Sequence, residues 1–264
     1  MATTTTPTRE LALVTGASMG IGEEFARQLA ARGIDLILTA RSVDRLNALA
    51  QQLSPQVKTY VFQCDLAAPD AAQRIVEYLT QQNLRPNWLI NNAGFGDAGA
   101  FANLPPERVR DICVVNMVAL TELTSRFLPV LKRSARGTAR ILNIASVAGL
   151  QSVPYFAVYS ASKAYVLSFS DALYEELHPE GIRVTCVCPG YTATNFAVNN
   201  KISKKSFTRT QSAEAVVRAS LRASDAGRAV VVTRNRWQIP VVRLFPRFIL
   251  RKVAASIARK YTES

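Results

Sequence analysis

Seven short runs rich in β-branched and other apolar residues recur along the chain: LALVT (11–15), LILTA (36–40), TYVFQC (59–64), WLINN (88–92), RILNIAS (140–146), RVTCVC (183–188) and RAVVVT (228–233). Between them lie segments with apolar residues at helical spacing, 22–33, 44–53, 71–79, 105–134 and 159–178. Strands that alternate with helices admit few folds. The connections become right-handed βαβ crossovers, which implies a parallel sheet with helices on both faces. No Ser/Gly-rich linker or internal repeat divides the 264 residues, a length that suits one large α/β domain.

The longest apolar runs fall well short of the roughly 20 residues of a membrane span. The start, MATTTTPTR, has no apolar core like that of a signal peptide, so residues 1–9 read as a disordered tail and the expected location is cytoplasmic. Cys64, Cys113, Cys186 and Cys188 are too few and scattered for a disulfide framework. The CVC at 186–188 sits in an apolar strand pattern without His or acidic neighbours, so these thiols read as small buried hydrophobes and no metal is expected. The sole histidine, His178, closes a helix before Pro179, which argues against His-based triads and multi-His zinc sites.

TGASMGIG (15–22) follows the first strand and opens a helix. Gly16, Gly20 and Gly22 allow a tight turn and a close approach to a pyrophosphate, with Ser18 and Ile21 in the same turn. The helix N-terminus then offers free N–H groups to phosphate. This is a Rossmann-type, doubly wound dinucleotide site, assigned to residues 10–240. An acid some 20 residues further on would hold a ribose 2′-hydroxyl; the chain has Ala40, Arg41 and Ser42 there, which suits a 2′-phosphate and predicts NADP(H). Asp65, ending the third strand, is placed for the adenine edge. Asn92, Ala93 and Gly94 of NNAG bring polar groups and a glycine to the same carboxyl edge.

TGASMGIG, NNAG, Asn116 in a helix, Ser146 ending the fifth strand, YSASK (159–163) and PGYTAT (189–194) occur in that order. Together they resemble the short-chain dehydrogenase/reductase family over about residues 10–195. The resemblance implies a proton relay. Tyr159 is the general acid/base, and Lys163, one helical turn on, lowers its pKa and holds the nicotinamide ribose. Ser146 binds the substrate oxygen, and Asn116 holds a water that links Lys163 to solvent. Pro189, Gly190, Thr192 and Thr194 match the segment that anchors the nicotinamide carboxamide. The implied activity interconverts a carbonyl and an alcohol on a small-molecule substrate, in a homodimer or homotetramer built through the helices at 105–134 and 159–178.

The charge is uneven. Residues 1–200 carry 17 Lys and Arg against 16 Asp and Glu, whereas residues 201–264 carry 15 against 3. From Pro246, Phe248, Ile249, Val253 and Ile257 recur at helical spacing beside Arg247, Arg251, Lys252 and Arg259, which reads as a basic amphipathic extension over 241–264. Such a helix suits an anionic membrane surface, or packs on the body or a second subunit. No groove-reading motif accompanies the charge, so nucleic acid is not expected. Lys201, Lys204 and Lys205 lie where the family has its substrate loop, facing either an acidic substrate group or water. The tail differs from the glycine-rich ending of 3-oxoacyl carrier-protein reductases and is more like that of members acting on lipophilic ketones and alcohols. A lipophilic substrate is therefore expected. A 3-oxoacyl thioester reductase is the alternative, and a non-catalytic nucleotide-binding or membrane-associated adaptor is the reading from another class.

Overall fold

The computed structural model describes residues 9–134, 136–194, 196 and 210–233. The expected strands all form: β1 (Leu11–Thr15), β2 (Asp35–Ala40), β3 (Thr59–Gln63), β4 (Trp88–Asn91), β5 (Arg140–Ile144), β6 (Arg183–Cys188) and β7 (Val230–Val232). They build one parallel sheet in the order β3-β2-β1-β4-β5-β6-β7. The helices are α1 (Gly20–Ala30), α2 (Val43–Leu53), α3 (Ala71–Gln81), α4 (Pro106–Leu131), α5 (Ala157–Leu177) and α6 (Ala213–Asp225). The chain is thus a doubly wound, Rossmann-type α/β domain.

Side chains alternate across each strand, so apolar residues are buried on both faces of the sheet. Val14, Leu36, Leu38 and Ile90 face α1, α2 and α6, where Phe25, Leu29, Leu46, Val217 and Leu221 are buried. Leu13, Ile37, Leu89 and Ile141 face the other way, onto Ile75 of α3, Leu123 and Phe127 of α4, and Leu173 of α5. By length and composition α4 is apolar enough to cross a membrane. Its Leu123, Phe127 and Leu131 are instead core residues of this domain.

α6 has no counterpart in the sequence expectations. Its buried face mixes Val216, Val217 and Leu221 with Ser220, Ala223 and Ser224. Its start is cleanly marked, however, because the Ser212 hydroxyl accepts from the Ala215 N–H. The basic extension and most of the 195–210 loop lie outside the described residues.

Strand order reverses beside β1: the chain steps outward to β2 and β3, then crosses to β4 on the other flank. The two sets of loops diverge there, and a crevice opens at the carboxyl ends of the strands. At the opposite end, Arg140 packs 4.4 Å over the Trp88 ring and pairs with Asp225 at 3.0 Å, while Trp88 Nε1 donates to Glu10 at 2.6 Å.

Candidate active site

The crevice begins at the turn after β1. Gly16 and Gly20 have φ of +64° and +61°, a region that side-chain-bearing residues seldom occupy. A Cβ on Gly22 would lie 2.2 Å from the Gly16 carbonyl oxygen, so α1 starts hard against the turn only because a glycine stands there. Asn92 braces this turn from β4: its Nδ2 donates to the Thr15 and Gly16 carbonyl oxygens at 2.9 and 3.2 Å. The Thr15 hydroxyl in turn accepts from the Asn92 and Ala93 N–H groups. Asn92 thus shapes the glycine turn with its own amide donors.

A cleft of about 870 Å³ runs from this turn along the sheet edge. Gly16, Ser18, Gly20, Ile21, Arg41, Ser42, Asp65, Asn92, Ala93 and Gly94 line one part, and Ser146, Tyr159, Lys163, Pro189, Gly190, Thr192 and Thr194 line the other. Of the residues singled out in the sequence, Gly22 and Asn116 stand behind the wall. Arg41 is exposed at the end of β2, and among the described residues no carboxylate lies within ion-pair distance of it. The exposed Asp65 accepts from the Ala67 N–H at 3.0 Å, a turn of its own making. Thr194 closes over the glycine turn: a Cβ on Gly20 would meet its methyl at 3.2 Å.

Tyr159 and Lys163 lie one turn apart near the start of α5 and are 7% and 4% exposed. Lys163 Nζ donates to the Ile144 carbonyl oxygen at 2.8 Å and sits 5.7 Å from the centre of the Tyr159 ring. Ser146, just past β5, lines the cleft with Tyr159 and is near enough to lower the phenol's pKa, while its oxygen accepts from the Ala148 N–H at 3.1 Å. The serine therefore caps a turn and faces the tyrosine at once.

Asn116 is fully buried in a widened, π-helical turn of α4 at Val114–Ala119. Its Oδ1 accepts from the Phe95 N–H, and its Nδ2 donates to the Phe95 carbonyl and to the Ser162 hydroxyl. The side chain is fully engaged by protein groups. Gly94 is the point where these parts meet, since a Cβ there would lie 3.0 Å from both Asn116 Oδ1 and Lys163 Nζ.

The electrostatics differ from expectation in one respect. Burial pushes the Tyr159 phenol up to about 12, against a smaller downward pull from the neighbouring Ser146 hydroxyl. Burial likewise pulls Lys163 down to about 8. Lys163 was expected to lower the tyrosine; instead desolvation dominates, because both groups are enclosed and the ammonium is directed at Ile144. Tyr159 is protonated throughout the neutral range, poised as a donor.

Several contacts could not be read from the sequence. Ser162 anchors Asn116, and the Phe156 and Phe196 rings flank the Tyr159 ring at 4.5 and 5.5 Å. Gly149 admits the Lys163 backbone, which a Cβ would meet at 2.6 Å. Gly96 lets the Tyr159 ring pack on bare backbone. The glycine spacing of NNAGFG was the one signal for that last contact.

A doubly wound sheet with a glycine turn at its switch point and Ser146, Tyr159 and Lys163 on the same cleft defines a dinucleotide-dependent oxidoreductase. The chain belongs to the short chain dehydrogenase family, whose sequence model matches residues 10–205. Among curated proteins it is 37% identical over 191 residues to a putative ketoacyl reductase of Streptomyces coelicolor, covering 72% of this chain and 73% of that protein. Among solved structures it is similar to a short-chain dehydrogenase from Sphingobium yanoikuyae in complex with NADPH, with a TM-score of 0.82, 33% identity and coverage of 92% and 94%. It is also similar to the bulky-bulky ketone specific alcohol dehydrogenase from Comamonas testosteroni, with a TM-score of 0.77, 29% identity and 92% of each chain.

Proposed function

We propose that this chain is an NADP(H)-dependent reductase that converts a lipophilic ketone or aldehyde to an alcohol and catalyses the reverse reaction. The observation that carries the reading is the buried Tyr159, one helical turn from Lys163 and beside Ser146 on the same cleft as the glycine turn.

The cleft fits the dinucleotide. Gly16, Gly20 and Gly22 leave a cradle that a Cβ would fill, the N-terminus of α1 opens onto it, and the Arg41 guanidinium, without a carboxylate partner among the described residues, suits a 2′-phosphate. Ser18 and Ile21 complete the phosphate turn, Ser42 joins Arg41, and Asp65 borders the adenine end. Ala93, Gly94, Pro189, Gly190, Thr192 and Thr194 border the nicotinamide end. When bound, the cofactor supplies or accepts a hydride.

The chain manages the proton and the developing charge. The Ser146 hydroxyl donates to the substrate oxygen as negative charge grows there. Tyr159 Oη, protonated at neutral pH, gives its proton to the same oxygen. The Lys163 ammonium holds ribose hydroxyls and offsets charge on the phenolate left behind. Asn116, its side chain engaged by Phe95 and Ser162, fixes the Phe95 backbone and holds the relay water.

The lipophilic preference is supported by the aromatic rings beside Tyr159 and by the likeness to the bulky-ketone dehydrogenase. A 3-oxoacyl thioester reductase is the second reading, favoured by the name of the Streptomyces relative. The body at 10–240 is taken as the catalytic unit, with residues 1–9 and 241–264 as appendages. Members of this family associate, and Val118 of α4 and Tyr165 of α5, 47% and 39% exposed, support a homodimer or homotetramer through those helices. The free cysteines support a reducing, cytoplasmic setting; peripheral membrane contact rests on the basic extension alone. The reading is tested by following NADPH oxidation with a panel of aryl ketones, alkyl ketones, aldehydes and 3-oxoacyl thioesters. If the purified protein turns over none of them, the reading fails.

A further inference from the structure

Asp97 is one of two carboxylates buried among the described residues, and it sits in the loop between β4 and α4. A buried carboxylate is costly unless it is paired. Asp97 is paired twice, to Arg108 Nε at 2.5 Å and to a terminal guanidinium nitrogen at 3.2 Å. The same guanidinium lies 4.3 Å from the centre of the Phe95 ring. Both polar backbone atoms of Phe95 are held by Asn116, and the Gly99 N–H donates to the Tyr155 carbonyl just ahead of α5. Between these ties lies Gly96. A Cβ there would fall 2.6–2.8 Å from Tyr159 Cδ2, Cβ and Cγ, so the tyrosine ring rests directly on this segment.

We infer that the Asp97–Arg108 ion pair positions Tyr159, by locking the Phe95–Gly96 backbone against the tyrosine ring so that Oη meets the substrate oxygen at a fixed distance. This rests on the proton-donor reading of Tyr159. Arg108 also lines the cleft, but no hydrogen bond or ion pair joins it or Asp97 to Tyr159 or Ser146. Its effect is transmitted through backbone: Asp97 follows Gly96, and Arg108 clamps both Asp97 and the Phe95 ring. A small displacement of a proton donor is enough to cost about a hundredfold in rate.

The experiment uses the full chain with NADPH and the best-reduced ketone of the panel. Asp97→Asn and Arg108→Gln should each lower kcat by about tenfold to a hundredfold, with kcat referred to NADPH-binding sites counted by fluorescence titration. The NADPH Kd should stay within about twofold of wild type, and the double variant should be no slower than the slower single, as expected of groups acting as one unit. In protein carrying 13C-labelled tyrosine rings, the Tyr159 signals, assigned through Tyr159→Phe, should shift or average in Asp97→Asn. A wild-type kcat, or losses that multiply in the double variant, would overturn the inference. If Asp97→Asn does not fold, Arg108→Lys keeps the cation and loses the fork; a wild-type kcat there also overturns it. Retained turnover in Tyr159→Phe removes the proton-donor reading itself. A dead Tyr159→Phe beside a fully active Asp97→Asn removes only the positioning role.

Discussion

The ammonium of Lys163 lies 2.8 Å from the carbonyl oxygen of Ile144, the last residue of β5, so the strand that delivers Ser146 also holds the lysine. One short segment therefore sets both the group facing the substrate oxygen and the charge behind the tyrosine. Lys163 is thus a buried cation, and burial lowers its pKa to about 8.

That burial predicts a pH-dependent stability. In the unfolded chain Lys163 keeps its proton to about 10.5, whereas in the fold it releases it near 8. Between these values the unfolded state binds more protons, so stability should rise with pH. Tyr159 acts oppositely, holding its proton to about 12 in the fold against 10 when unfolded, but only above pH 10. Between pH 8 and 10 the wild type should therefore gain on the order of 2 kcal/mol relative to Lys163→Met, measured by urea unfolding. An unchanged difference between the two proteins would show that Lys163 is not desolvated as the structure has it.

Removing the phenol should separate chemistry from binding. Tyr159→Phe keeps the ring between Phe156 and Phe196 and loses the phenol hydroxyl. Its kcat should fall by about 10²–10⁴-fold, with the NADPH Kd and the far-ultraviolet circular dichroism unchanged. Turnover close to wild type would show that another group supplies the proton.

Cofactor choice should follow Arg41. With no carboxylate partner among the described residues, its guanidinium is available to a phosphate. Arg41→Ala should weaken NADPH by about 10–100-fold, the worth of charge-assisted hydrogen bonds, and leave NADH within about twofold. Equal losses for both, by fluorescence titration, would detach Arg41 from the 2′-phosphate.

The far end of the sheet should affect stability alone. Asp225 joins Arg32 and Arg140, each at 3.0 Å, and Arg140 is only 12% exposed. Asp225→Ala leaves that buried guanidinium short of a counter-charge and should cost about 1–3 kcal/mol. Thermal unfolding would show the loss. A kcat that also collapsed would mean that this end is coupled to the cleft.

The sequence by itself determined the strand and helix alternation, the glycine turn and the Tyr159–Lys163 spacing. These are local matters: side chains repeat every second or every 3.6 residues, and φ near +60° selects glycine at 16 and 20. It missed α6, whose buried face is half serine and alanine. Tertiary structure alone decided what the site residues touch. The residues alone did not reveal that the Asn116 side chain is bound to Phe95 and Ser162, or that Asn92 braces the glycine turn. Lys163 was to lower the tyrosine, yet enclosure by Phe156, Phe196 and the Gly96 backbone leaves desolvation in control. Periodicity says which face of an element a residue occupies. Only packing between distant segments fixes how much water remains there, and that sets the pKa of a buried pair.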